Sequence, residues 1–208
     1  MPEIKVFSVG YLQTNCYVIT DPSYEGAVAI DPGGGYPKIK AYLADKGLKV
    51  TDVLLTHGHF DHILALSKFV EDGAKVYVHE LDEKMLRNEW NLAAEIGLPP
   101  LTAVKADYLL HGGETLRFGD MTFKVIHTPG HTQGGVSYDL DSKYLFSGDT
   151  LFYRTYGRTD FYGGSVSEIR NSLVNVLFAL EGDREVFPGH NETTTLSEER
   201  KHNEILYL

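Results

Sequence analysis

The chain has 208 residues, 42% of them hydrophobic and 23% charged, a mix that excludes disordered, collagenous and coiled-coil readings. No apolar run approaches the roughly 18 residues that a membrane span requires. Nineteen basic against 29 acidic residues leave a net charge of −10, which argues against nucleic acid as a partner. Cys16 is the only cysteine, so no intrachain disulfide is available and a cytoplasmic enzyme is expected. The first ten residues carry Glu3 and Lys5 and read as neither a signal nor a transit peptide. No linker or low-complexity run divides the chain, so residues 1–208 read as one domain.

In chain order, residues 4–9, 16–20 and 27–30 read as strands, being rich in Val, Ile and Tyr between turn residues. The run Asp31-Pro32-Gly33-Gly34-Gly35 reads as a turn, since neither a phosphate loop nor a dinucleotide fingerprint matches its spacing. Residues 37–46 predict a helix stopped by Gly47; 53–55 a strand; 61–70 a helix; and 75–78 a strand. Residues 80–96, with the lone Trp90, predict a largely helical stretch serving as a lid or as packing. Strands follow at 115–118, 122–127, 135–138 and 144–146. The clearest helix is 167–180, with Ile169, Leu173, Val176, Leu177 and Leu180 on one face; a strand at 185–187 and a helix at 197–206 close the chain. Strands interleaved with helices throughout point to an α/β sandwich.

Four strand candidates end in the same way. One leads into Thr56-His57-Gly58-His59-Phe60-Asp61-His62, one through Pro129-Gly130 to His131, one through Ser147-Gly148 to Asp149, and one through Pro188-Gly189 to His190. Glycine and proline make the tight turns that aim side chains off the end of a sheet, where sites on α/β scaffolds are built. Neutral imidazoles and carboxylates are ligands for Zn²⁺, Fe²⁺ or Mn²⁺. His57, His59, Asp61 and His62 converge on one ion only with strain, but could serve two ions about 3.5–4 Å apart, with Asp149 bridging them. By contrast, His79, His111, His127 and His202 stand in no such context, and Cys16 reads as buried packing.

His57, His59, Asp61, His62, His131, Asp149 and His190, in that order and at those separations, resemble the full signature of the metallo-β-lactamase superfamily. The resemblance implies a four-layer αβ/βα sandwich. It also implies one metal held by His57, His59 and His131, a second held by Asp61, His62 and His190, and Asp149 bridging both. Within the superfamily the chain looks like glyoxalase II (hydroxyacylglutathione hydrolase) and its short bacterial relatives. The segments Gly148-Asp149-Thr150-Leu151-Phe152, Gly157-Arg158-Thr159-Asp160-Phe161 and Pro188-Gly189-His190-Asn191-Glu192-Thr193-Thr194 carry that likeness. Full-length glyoxalase II has a further C-terminal helical region completing its glutathione site, whereas only 18 residues follow His190.

The likeness implies a hydrolase with two divalent cations, zinc first and iron or manganese after it. A bridging hydroxide would attack a thioester such as S-lactoylglutathione, with Asp61 orienting it. Arg158, Tyr156 and Arg154, just after Asp149, are expected at the substrate mouth; Arg158 falls where that family often has a basic residue touching glutathione. The partner expected is therefore a small-molecule thioester, with no nucleic acid and no membrane. Persulfide dioxygenases share the fold and a Gly-Arg-Thr-Asp-Phe segment. In that alternative a single Fe(II) would sit on His57, His131 and Asp149. A lactonase of the superfamily would use the same His-x-His-x-Asp-His site. A secreted β-lactamase would want an export signal, and a superfamily ribonuclease a basic surface.

Overall fold

The computed structural model describes residues 1–208. One six-stranded sheet takes β1 (Glu3–Val9), β2 (Thr14–Thr20), β3 (Ala27–Ile30), β4 (Val50–Leu54), β5 (Lys75–His79) and β6 (Tyr108–Leu110) in chain order. Next come β7 (Thr115–Phe118), β8 (Met121–His127), β9 (Val136–Leu140) and β10 (Tyr144–Gly148), then a small ribbon of β11 (Leu151–Phe152) and β12 (Thr155–Tyr156). With β13 (Glu185–Pro188) and β14 (Thr194–Thr195), the second six-stranded sheet runs β14-β13-β10-β9-β8-β7. Both sheets are mixed: β1 to β3 and β7 to β10 pair antiparallel, while β3 to β6 and the β10–β13 pair run parallel.

The strands of the interior alternate between two cores. Cys16 and Val18 of β2, Ala27 and Ala29 of β3, and Val76 and Val78 of β5 face one cluster, which Ile39, Leu43, Leu66 and Phe69 cover. Tyr17, Ile19, Val28, Ile30, Leu54 and Tyr77 face the other way, where they meet Phe123, Tyr138 and Phe146 of the second sheet. Beyond that sheet, Leu145 and Val186 pack with Ile169, Leu173, Leu177 and Leu196. A strand buried on both faces needs an apolar residue at nearly every position, which explains the unbroken runs in β2, β3 and β10. The result is the metallo-β-lactamase fold, two sheets face to face with helices on both outer sides.

The helices are α1 (Tyr36–Ala44), α2 (Phe60–Ile63), α3 (Leu66–Glu71), α4 (Val166–Asn171) and α5 (Leu196–His202). Four expected helices differ, the last of them, 197–206, because Asn203 leaves the helical region at φ −68 and ψ 135 between α5 and a 3₁₀ turn over Glu204–Tyr207. The one expected over 61–70 is two, because Ala65 leaves the helical region at φ −98 and ψ 1 and its N–H donates to Pro32 O at 2.9 Å. The 80–96 stretch is a 3₁₀ helix over Glu80–Arg87, then a loop with Asn88, Trp90 and Leu92 all at positive φ, then a single 3₁₀ turn over Ala94–Ile96. Asn88 Oδ1 accepts from Leu101 N at 2.7 Å and Asn91 Oδ1 from Ala93 N at 3.1 Å, so asparagine side chains replace the helical ladder. The third, 167–180, begins as α4 but continues as a π-helix over Ser172–Leu177. β6, β11, β12 and β14 were not expected; each has only two or three residues, too short for an alternation to register.

This topology builds a shelf along one edge of the sandwich. β10 and β13 are parallel neighbours, and Gly189 N donates to Gly148 O at 2.8 Å, so Asp149 and His190 emerge side by side. Across the sandwich, Val136 N donates to Thr56 O at 2.8 Å and ties the β8–β9 loop to the loop after β4.

Candidate metal centre

The shelf gathers all seven residues expected as ligands. His57, His59, Asp61, His62 and His131 are buried, and Asp149 and His190 are partly exposed. Three groups of donor atoms converge to within 4.8 Å: His57, His59 and His131; Asp61, His62 and His190; and His57, His62 and Asp149. Asp149 stands between the first two. Its Oδ1 lies 3.4 Å from His62 Nε2, and its Oδ2 lies 3.6 Å from His131 Nε2 and 3.5 Å from His190 Nε2. On the far side, Asp61 Oδ2 is 3.2 Å from His190 Nε2 and 3.5 Å from His62 Nε2.

The outward nitrogens of four of the five histidines are tied down. His62 Nδ1 meets Asp31 Oδ2 at 3.0 Å, His131 Nδ1 meets Arg158 O at 2.7 Å, and His190 Nδ1 meets Leu12 O at 3.2 Å. His57 Nδ1 meets Thr56 Oγ1 at 3.1 Å, and that hydroxyl donates in turn to Asp31 Oδ2 at 2.6 Å. Each such bond fixes the ring so that Nε2 faces the cluster. Yet His57 Nε2, His59 Nε2, His62 Nε2 and Asp149 Oδ1 are buried with no hydrogen-bond partner. Each buried orphan costs about 1–3 kcal/mol, and the three on the converging group His57, His62 and Asp149 fit a site made for cations, whereas His59 turns its Nδ1 to the cluster, 2.9 Å from His131 Nε2.

Charge divides the histidines of the cluster. Burial, and then the neighbouring His62, keeps His57 well below its ordinary value, while burial and His131 push His59 down to about 3. Both are thereby held neutral, the form that ligates. Burial works against charge on His62 too, but Asp61, Asp149 and Asp31 outweigh it and raise its value. Asp149 is likewise opposed by burial, and His62 beside it holds its carboxyl below the usual carboxylate range.

The Pro-Gly-His ending of β13 has a steric reason. A Cβ on Gly189 would lie 2.1 Å from Asp149 Oδ1, so only glycine lets this turn pass the carboxylate.

The cluster floors a cleft of 530 Å³. Tyr156 and Arg158 line it, together with Leu12, Leu92, Phe152 and Phe161. Arg154 does not: its guanidinium donates to Glu198 Oε1 at 2.9 and 2.7 Å and rests 5.1 Å from the Tyr153 ring, so α5 draws it away from the cleft. Outside that lining, the rings of Trp90 and Tyr162 stack at 4.0 Å, joining the loop after the 3₁₀ helix to the segment that carries Phe161. The histidines given an ordinary reading lie outside the cluster; His79 and His127 stack on each other at 4.3 Å. Asp31, Thr14 and Asp82 support the ligands without standing in any motif of the sequence. Asp31 stands in what reads as a turn, although its φ of 52 marks a residue held in place. Thr14 Oγ1 donates to Asp61 Oδ2 at 3.0 Å, and nothing local signals that.

A profile of the Metallo-beta-lactamase superfamily matches residues 9–190. The chain belongs to this superfamily. It is 35% identical to the probable metallo-hydrolase YqgX of Bacillus subtilis, covering 95% of this chain and 94% of that one. It is 31% identical to the hydroxyacylglutathione hydrolase GloC of Haemophilus influenzae, covering 98% and 97%. Among solved structures it is similar to the B3 metallo-beta-lactamase BLEG-1 (TM-score 0.90, 36% identity, 98% and 99% covered). Two others are TTHA1623 in a di-iron-bound form (0.83, 34%, 96% and 98%) and ETHE1 from Myxococcus xanthus (0.78, 32%, 97% and 83%). The chain is thus an enzyme of the metallo-hydrolase type.

Proposed function

We propose that this enzyme hydrolyses thioesters of small molecules, with two divalent cations held between its seven ligand-type residues. The observation that carries the reading is Asp149, whose two oxygens face His62 on one side and His131 and His190 on the other. His57, His59 and His131 would hold one ion and Asp61, His62 and His190 the other, with zinc first in line. Iron, which TTHA1623 holds, and manganese are the alternatives. The mononuclear reading on His57, His131 and Asp149 is less well supported, since each convergent group draws on residues outside that triad.

Bound there, two divalent cations would bring the pKa of water towards about 7 and polarise an acyl carbonyl. Asp61, oriented by Thr14, faces the same space and would accept a hydrogen bond from an attacking water. A thiolate leaves without help from an acid, because free thiols ionise near a pKa of about 8.5. That suits a cleft whose one carboxylate besides Asp61 and Asp149 is the exposed Glu95. The likeness to a hydroxyacylglutathione hydrolase supports thioesters as the bond class, and the net charge of −10 supports small molecules over nucleic acid.

The test is metal analysis of protein purified without oxygen or chelator, followed by a lactoyl-thioester assay. About two ions per chain and metal-dependent turnover are expected. Asp149→Ala should lose both. One iron per chain, with oxygen uptake on glutathione persulfide, would replace this reading with the dioxygenase.

A further inference from the structure

Resting on the thioesterase reading, the walls of the cleft narrow the substrate. Leu12, Leu92, Ile96, Phe152, Tyr156 and Phe161 face it above the ligand cluster. These walls are fastened: Trp90 stacks on Tyr162, and Phe60 N donates to Asn91 O at 2.8 Å, which anchors the loop bearing Leu92 and Ile96. Apart from the ligand-type residues, only two charged side chains reach the cleft, Arg158 and Glu95. Arg158 is already engaged. Its Nε and Nη2 donate to the two oxygens of Asp160 at 2.9 and 2.7 Å, and its guanidinium lies 4.3 Å from the Phe161 ring centroid. The remaining unpaired charge at the mouth is the carboxylate of Glu95, on a chain that is negative overall.

Glutathione brings two carboxylates and one ammonium to such a mouth, a net negative charge, and the one cation it would meet there, Arg158, is already shared with Asp160. A carboxylate moved from water into an apolar cleft without a counter-charge is strongly disfavoured. An uncharged thiol loses nothing there and gains apolar contact. We propose that the cleft takes thioesters whose thiol moiety is uncharged, and that Glu95 is a residue that discriminates against anionic thiols.

The experiment holds the acyl group and the scissile bond constant. The metal-loaded protein is given the lactoyl thioesters of glutathione and of N-acetylcysteamine, an uncharged thiol. The uncharged thioester should show kcat/KM about tenfold higher, carried by KM. Glu95→Lys should narrow that ratio about three- to tenfold, Glu95→Gln by less, and Asp160→Asn, which frees Arg158, should narrow it as well. Equal or better kcat/KM on the glutathione thioester overturns this proposal and leaves the thioesterase reading standing. A ratio that none of the three variants moves removes Glu95 and the engaged Arg158 as its cause. No turnover of either thioester by protein carrying its metal overturns the thioesterase reading, and this proposal with it.

Discussion

Asp82 carries no chemistry of its own, yet it joins the two loops that present the three-histidine group. Its fully buried carboxylate accepts from Thr132 Oγ1 at 2.7 Å and from Gly134 N at 2.8 Å, next to His131. It also accepts from the backbone of Gly58, between His57 and His59; burial raises its pKa although these hydrogen bonds favour the charged form. Asp82→Ala would leave those donors without an acceptor, costing about 1–3 kcal/mol of stability. Metal affinity should fall about 10- to 100-fold as the histidine loops part, a loss that chelator competition reads. Unchanged affinity in a folded variant would show that the loops hold themselves. The ligands were legible in the sequence because five histidines and two aspartates crowd the ends of strand-like runs, a local pattern. Asp82 was not, because its partner Thr132 lies 50 residues away and only folding brings them together.

At the level of elements, β5 and β8 end in His79 and His127, whose rings stack at an interplanar angle of 10° and so join the rims of the two sheets. His111 lies 6.4 Å from His79 and pairs with Glu80 at 3.0 Å, so these three groups are the ionisable neighbours of His79. Burial, and then His127, lowers the pKa of His79 from 6.5. The unfolded chain therefore binds a proton that the fold refuses, and stability is lost as pH falls through and below 6.5. Melting curves between about pH 7 and pH 5 should show Tm falling more steeply for the wild type than for His79→Gln. Parallel slopes would count against the stack as the source. Element types were legible where burial repeats along the chain, as in β2 and β3. The 80–96 stretch was not, because its apolar spacing suits a helix while Asn88 and Asn91 bond to the backbone in ways spacing does not display. Nor was the π-helix after α4, where Ser172 Oγ donates to Pro129 O at 2.7 Å in the loop leading to His131.

For the molecule as a whole, the two sheets meet along Tyr17, Ile30, Phe123 and Phe146, while their loops hold a set of histidines and carboxylates short of hydrogen bonds. Cations that bind only the folded site stabilise it by about 2.7 kcal/mol at a hundred times Kd. Stripping them with chelator should lower Tm by about 5–10 °C, and returning them should restore it. A Tm indifferent to chelator would mean that the fold tolerates its orphaned donors without metal. No helix is long and apolar enough to cross a membrane.

Trp90 is the only tryptophan in the chain, and it stacks on Tyr162, the residue that follows Phe161 of the cleft wall. Its indole emission therefore comes from one place, a stack joined through Tyr162 to the segment that carries Phe161. Any compound that enters and disturbs that stack changes the light the protein gives off. The molecule carries its own optical gauge of occupancy, readable with inert analogues and before any bond is cut.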